Sequence, residues 1–169
     1  QQGGEFATIC AIALEVQADL MGITEHNLDT KKFPVRKCCH DARTRILSHS
    51  SLTMGSSQIE MTNQYKPGGT LTLSWGKISA RLLKAGTDDM GQWTYQTLSG
   101  KHNRNVTIIT AYQVCDKSVT QRGWYTVAAQ QESILRQRGE TNPNPCKHFC
   151  LDLHKFLQQR WQDGDEIIL

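Results

Sequence analysis

At 169 residues the chain is the size of one ordinary domain and long enough to bury a core without disulfide staples. Hydrophobic residues at 38%, charged residues at 21% and a mean hydropathy of −0.50 exclude a disordered or collagen-like chain. Apolar runs such as Ala11–Leu14 and Ile167–Leu169 fall far short of the roughly 18 residues a membrane-spanning helix needs, and a net charge of +3 neither requires nor excludes a nucleic-acid partner.

Phe6, Ile9, Cys10, Ala13, Val16 and Leu20 recur at the three-and-four spacing of a helix with one buried face. The helix is followed by Leu20-Met21-Gly22-Ile23-Thr24, a short apolar run that reads as a buried strand and ends in Glu25, His26 and Asn27. Polar residues at the C-terminal end of a strand stand where open α/β sheets bind their ligands. Because adjacent strand residues point to opposite faces, Asn27 rather than His26 is expected on the side of Glu25.

Between Leu28 and Pro67 the periodicity dissolves. Asp29–Lys32 reads as a turn, Ala42–Leu47 as a helical turn and Ser48–Ser57 as a serine-rich stretch. Forty residues are too many for a loop in a compact domain, so at least one helix is expected there. Pro67-Gly68-Gly69 marks a boundary, after which Thr70–Trp75 alternates like a strand that Ile78–Leu83 continues. A turn over Gly86–Asp89, a strand over Trp93–Leu98, a polar hairpin over Ser99–Asn105 and a β-branched central strand over Val106–Tyr112 complete an expected antiparallel stretch from Thr70 to Val114.

The last third returns to helix. Tyr125–Arg138 ends at a C-capping Gly139, and Asn144-Pro145 opens a helix with Phe149, Cys150, Leu153, Phe156, Leu157 and Trp161 on its apolar face. Gly164-Asp165 closes that helix, and Glu166–Leu169 reads as one more buried strand. The six cysteines are expected to be mainly reduced; Cys38-Cys39-His40 and Cys146-x-His148-x-Cys150 carry zinc-type ligands at spacings that argue against a zinc site. Trp75, Trp93, Trp124 and Trp161 are expected in the core, Lys101–Arg104 at a solvated basic hairpin tip, and the sequon at Asn105 opens a strand.

The order of these segments carries a resemblance. Leu20–Glu25 resembles the "DI-x-x-LQE" segment of the endonuclease/exonuclease/phosphatase superfamily, Gly68–Leu73 resembles its "GG-x-A-L" strand, and Val106–Tyr112 resembles the strand bearing its active-site tyrosine. Gly164–Leu169 is similar to the strand leading into the family's Asp-x-Asn motif. Gln113-Val114-Cys115 replaces the Pro-Asn that commonly follows the tyrosine, a departure that leans towards the retroelement type. The resemblance implies a partial four-layer α/β sandwich, β-sheets flanked by helices, over residues 1–169, lacking the family's first strand and C-terminal part. It also implies Glu25 as a Mg²⁺ ligand, Tyr112 as a contact to the scissile phosphate, Asn27 as a cleft residue, and DNA or another phosphodiester as the parent protein's substrate. The general base would be a histidine outside these residues, so this piece is expected to be inactive alone. A remnant or nucleic-acid-binding module that keeps the fold without catalysis is the alternative. With no leader visible before Phe6, an intracellular location, nuclear or cytoplasmic, is expected.

Overall fold

The computed structural model describes residues 2–61, 65–102, 104–114 and 126–169. Helix α1 (Gln2–Glu15) leads into strand β1 (Leu20–Thr24), helix α2 (Phe33–Ile46) and strands β2 (Ser50–Gly55) and β3 (Thr70–Trp75). The short helix α3 (Gly76–Ser79) carries the chain to β4 (Leu82–Thr87), β5 (Trp93–Ser99) and β6 (Asn105–Ala111). Helices α4 (Val127–Gln137) and α5 (Pro145–Gln162) precede β7 (Glu166–Ile168).

Two sheets result. The first is three-stranded and antiparallel, in the order β1-β3-β2; the second is four-stranded, in the order β4-β5-β6-β7, with β7 parallel to β6. They stack face to face, β2 over β4, β3 over β5 and β1 over β6. Helices α1 and α2 cover the outer face of the first sheet and α5 that of the second. The molecule is therefore an α/β sandwich of four layers, the fold class expected from the sequence.

Alternation along the strands sorts the side chains between layers. In β3, Leu71 and Leu73 face Phe6, Cys10, Val35 and Cys39 of the helices, while Thr70, Thr72 and Ser74 face the second sheet. In β5, Trp93 and Tyr95 face Phe149, Leu153 and Phe156 of α5, with the Trp93 and Phe149 rings edge-to-face at 6.2 Å. Thr94 and Gln96 face inward. The inter-sheet layer is consequently hydrogen-bonded: Thr72 Oγ1 lies 2.8 Å from Thr94 Oγ1 and 2.9 Å from Thr110 Oγ1, and Gln96 Nε2 donates to the Thr72 carbonyl at 3.1 Å. Gly22 makes this close approach possible, because a Cβ there would stand 2.5 Å from Thr110 Oγ1.

Several elements differ from expectation. Helix α2 spans fourteen residues rather than a turn at Ala42–Leu47, with Pro34 in its first turn, and the serine-rich stretch forms β2. Its polar alternation hid it, since the inward face of this sheet is polar. Ile78–Leu83 does not continue β3; the chain turns through α3 and enters the other sheet. The stretch from Thr70 to Val114 is thus antiparallel but divided between two sheets. Strands β1 and β7 are sheet edges rather than buried strands, and Ile168 is 56% exposed.

On α5, Asn144 Oδ1 accepts from Lys147 N at 2.9 Å and Pro145 opens the helix as the sequence indicated. Its apolar face is narrower than read: Phe149 and Leu153 are buried, whereas Cys150 is exposed and Trp161 is 78% exposed. Trp93 is buried, Trp75 half-buried, and Trp124 lies outside the described residues. Gly139 has φ +92 just after α4, whose start at Val127 leaves Tyr125 outside the described residues. Cys10, Cys38, Cys39, Cys146 and Cys150 are free thiols. Among the described residues no helix is long and apolar enough to cross a membrane.

Candidate active site

Strand β1 of one sheet lies over β6 of the other, and because Gly22 faces Thr110 while Glu25 and Tyr112, further along each, also meet, the two run in the same direction. Their C-terminal ends therefore emerge at one edge of the sandwich. One residue beyond each end, the Tyr112 hydroxyl donates to Glu25 Oε1 at 2.8 Å, joining positions 87 apart in the chain. The structure thus brings together the two residues singled out from separate motifs.

The backbone leaves the strand conformation at this point. Glu25 has φ +54 and Asn27 φ +57, a left-handed geometry disfavoured for residues with a Cβ. Alternation stops at Thr24, so strand parity does not decide which of His26 and Asn27 accompanies Glu25. Asn27 instead grips the glycine turn: its Oδ1 accepts from Gly68 N at 3.0 Å and its own N–H donates to the Gly68 carbonyl at 2.9 Å. Gly69, at φ +88, passes so close that a Cβ would lie 2.4 Å from the His26 ring.

His26 anchors the strand end from inside. Its Nδ1 accepts from Leu28 N at 3.0 Å, so Nε2 carries the proton and donates to the Gly55 carbonyl at 2.9 Å. Burial lowers its pKa below the ordinary histidine value, and the ring is held neutral in one tautomer. Beneath the same loop, Lys66 Nζ is fully buried, 3.4 Å from Asp29 Oδ1 and donating to the Ser57 and Ile59 carbonyls at 2.5 and 2.7 Å. Its pKa is lowered by burial, against which the Asp29 charge acts.

Sequence reasoning missed Gln92. Its carbonyl accepts from Tyr112 N at 2.8 Å, and by the alternation that points Thr94 and Gln96 inward its side chain lies in the inter-sheet layer at the Glu25–Tyr112 edge. It is 0% exposed, and among the described residues neither Nε2 nor Oε1 has a hydrogen-bond partner, a condition it shares with Gln131 of α4. The signal was weak, a glutamine between a glycine turn and a strand. The turn itself is set by Asp88, whose carboxylate accepts from Met90, Gln92 and Trp93 N and whose pKa burial pushes up to about 6.

The basic hairpin at Lys101–Arg104 stands at the far end of the sandwich. It precedes β6, whose seven residues span about 20 Å before Tyr112 is reached. Arg104 pairs there with Glu166 at 3.3 Å. The zinc-type cluster is dispersed into other contacts: Cys146 Sγ donates to the Val114 carbonyl at 3.2 Å and His148 Nε2 meets Glu140 at 2.9 Å. Among the described residues no three metal-ligating side chains converge.

The site is thus a carboxylate and a phenol at the shared C-terminal edge of two stacked sheets, backed by an unpaired amide, in a four-layer α/β sandwich. No protein-family model matches the chain, and no curated protein matches it in sequence. Among solved structures it is similar to an endonuclease/exonuclease/phosphatase family protein from Leptotrichia buccalis C-1013-b, with a TM-score of 0.40 and 11% identity over 83% of this chain. The chain spans 58% of that protein's length. At that level the likeness carries no argument, and the fold class rests on the sheets and helices described above.

Proposed function

We propose that this chain is part of a Mg²⁺-dependent phosphodiesterase domain of the endonuclease/exonuclease/phosphatase type, of retroelement origin, whose substrate is DNA. The observation that supports the reading is the Tyr112–Glu25 hydrogen bond, because two motifs far apart in sequence meet where such chemistry requires them. Phosphodiester hydrolysis needs a hard cation, and Mg²⁺ is commonly held by one or two carboxylates with waters completing its octahedron.

Glu25 fits that role. It is exposed, Oε1 is occupied by a neutral phenol, and among the described residues no cation pairs with it. When bound, Mg²⁺ would neutralise charge on the phosphoryl oxygens. Tyr112 would orient Glu25 through the present bond and donate to a phosphate oxygen when substrate displaces it. The Gln92 amide, unpaired behind them, would accept or donate to whatever occupies the edge. His26 is neutral with both ring nitrogens engaged, so it serves as an anchor rather than a base.

A second reading is a module that keeps the fold and binds nucleic acid without cleaving it. The two separate by experiment. With the chain in its complete reading frame, Glu25→Gln is expected to lower Mg²⁺-dependent DNA hydrolysis by at least about a hundredfold, and unchanged hydrolysis would exclude Glu25 as a ligand. In the 169-residue chain itself, Mn²⁺ is expected to broaden the NMR signals of Glu25 and Tyr112 and to spare them in the Glu25→Gln variant. Binding of DNA without any Mn²⁺ effect would favour the module.

A further inference from the structure

A cleft of about 520 Å³ lies beside the edge strand β2, away from the Glu25–Tyr112 pair. One wall is a stripe of α2: Arg36, His40 and Arg43 at four- and three-residue spacing, which puts them on one helix face. Lys31 stands at the rim, and Leu52 and Met54 of β2 supply the apolar surface. The facing wall carries Asp88 and Asp89.

The charges do not cancel. Asp89 is paired with Arg138, and Asp88 is turned to three backbone N–H groups. The cations have only neutral partners: Lys31 Nζ donates to the Gln58 carbonyl at 2.5 Å, and Arg43 donates to the Ser50 carbonyl at 2.6 Å and contacts His40 Nδ1 at 3.1 Å. Arg43 Nε is buried without a partner among the described residues. Arg36 is exposed near the start of α2, and among the described residues its side chain makes no hydrogen bond or ion pair. Three positive side chains around a concave, partly apolar space of this size match a ligand with a phosphate and a flat apolar body.

We infer that this cleft binds a nucleotide, its phosphate on Arg36, Arg43 and Lys31 and its base against Leu52 and Met54. The position suits a strand that also reaches Glu25. Gly55, which lines the cleft, pairs with Thr70, and Thr70 pairs on its other side with Thr24, next to Glu25. Two strand spacings are about 10 Å, within the reach of a short oligonucleotide. The cleft therefore extends the proposed nuclease edge sideways, and in that respect the inference rests on the function proposed above.

The test is binding in the presence of chelator, so that no hydrolysis intervenes. The chain is titrated with adenosine, adenosine 5′-monophosphate and an eight-nucleotide oligodeoxynucleotide. At least one phosphate-bearing probe is expected to bind at least tenfold more tightly than adenosine. The Lys31→Glu/Arg36→Glu double variant, changed only at exposed positions, is expected to lose at least tenfold for that probe while its melting temperature stays the same. The slope of log affinity against log salt should fall by about 0.7 for each cation lost from a single-stranded contact. Binding of the monophosphate marks a free nucleotide as a ligand, and binding of the oligonucleotide alone marks a unit of a strand. Adenosine binding as tightly as the phosphate probes, no binding of any probe, or a double variant within twofold of the parent would each overturn the inference. The two proposals fail separately: if Glu25→Gln left hydrolysis intact while Lys31→Glu/Arg36→Glu still lost chelator-phase binding, the nuclease reading alone would fail.

Discussion

The two outer layers of this molecule and the layer between its sheets are built on opposite principles. Outside, Phe6, Leu71 and Leu73 under α1 and α2, and Trp93 and Phe149 under α5, bury apolar surface in ordinary close packing. Inside, Thr70, Thr72, Ser74, Gln92, Thr94 and Gln96 are as fully buried and are polar. The outer layers supply the hydrophobic stabilisation; the inner one sets register and spacing, because the Thr72 hydroxyl meets those of Thr94 and Thr110 only in one alignment of the sheets. That alignment is what places Tyr112 beside Glu25.

The comparison can be broken most severely from outside. Phe6 is 1% exposed at the centre of the first core, and Phe6→Ala is expected to cost about 3–5 kcal/mol, lowering Tm by roughly 6–20 °C in thermal melts. A smaller loss would mean that α1 docks only loosely on the first sheet.

The inner layer is expected to respond less, and in a non-additive way. Thr72 Oγ1 bridges Thr94 and Thr110, so Thr72→Val leaves one buried and one half-buried hydroxyl short of a partner and should cost about 1–3 kcal/mol by urea denaturation. Replacing all three by valine should cost less than the sum of the single changes, because no orphan hydroxyl then remains. Strict additivity would show that the hydroxyls do not act as a network.

Acid sharpens the contrast at the site edge. His26 is held neutral with a lowered pKa, so the unfolded chain binds more protons, and its contribution to stability is complete above about pH 6.5 and is lost as pH falls. Asp88 has the opposite sign: its folded pKa is raised to about 6, so its contribution is present below the ordinary aspartate value of 3.8 and is lost as pH rises through 6. The two offset each other between roughly pH 4 and 6. Asp88→Asn removes the offset, and stability should then fall more steeply on acidification, measured as unfolding free energy from pH 7 to pH 4.5. An unchanged slope would show that Asp88 is not held protonated by burial. The smallest effect belongs to Trp161, which stands outside both kinds of layer; Trp161→Ser should change stability by no more than about 0.5 kcal/mol.

What was legible in the sequence was whatever a single element determines locally. The three-and-four spacing of Phe6, Ile9, Cys10 and Ala13 produced α1, Asn144-Pro145 and Gly139 marked helix ends, and β-branched Val106–Tyr112 marked β6. Apolar periodicity failed where the buried face is polar, and so β2 was unreadable and Gln92 went unnoticed. It misled where burial depends on neighbours, since nothing in Leu20–Thr24 or Glu166–Ile168 says that these strands stand at sheet edges, nor in α5 that Trp161 projects past its sheet.

The same division holds for the site. The sequence by itself determined that Glu25 ends one strand and Tyr112 follows another, because strand ends are local facts of composition and turn chemistry. Only the tertiary structure decided that the two strands lie in different sheets, run in the same direction and finish at one edge with the side chains 2.8 Å apart. It alone turned Asn27 to the glycine loop and closed His26 into a neutral anchor. Those outcomes arise from the stacking of two sheets through a thin hydrogen-bonded layer, a contact between residues too distant in the chain for any local pattern to encode.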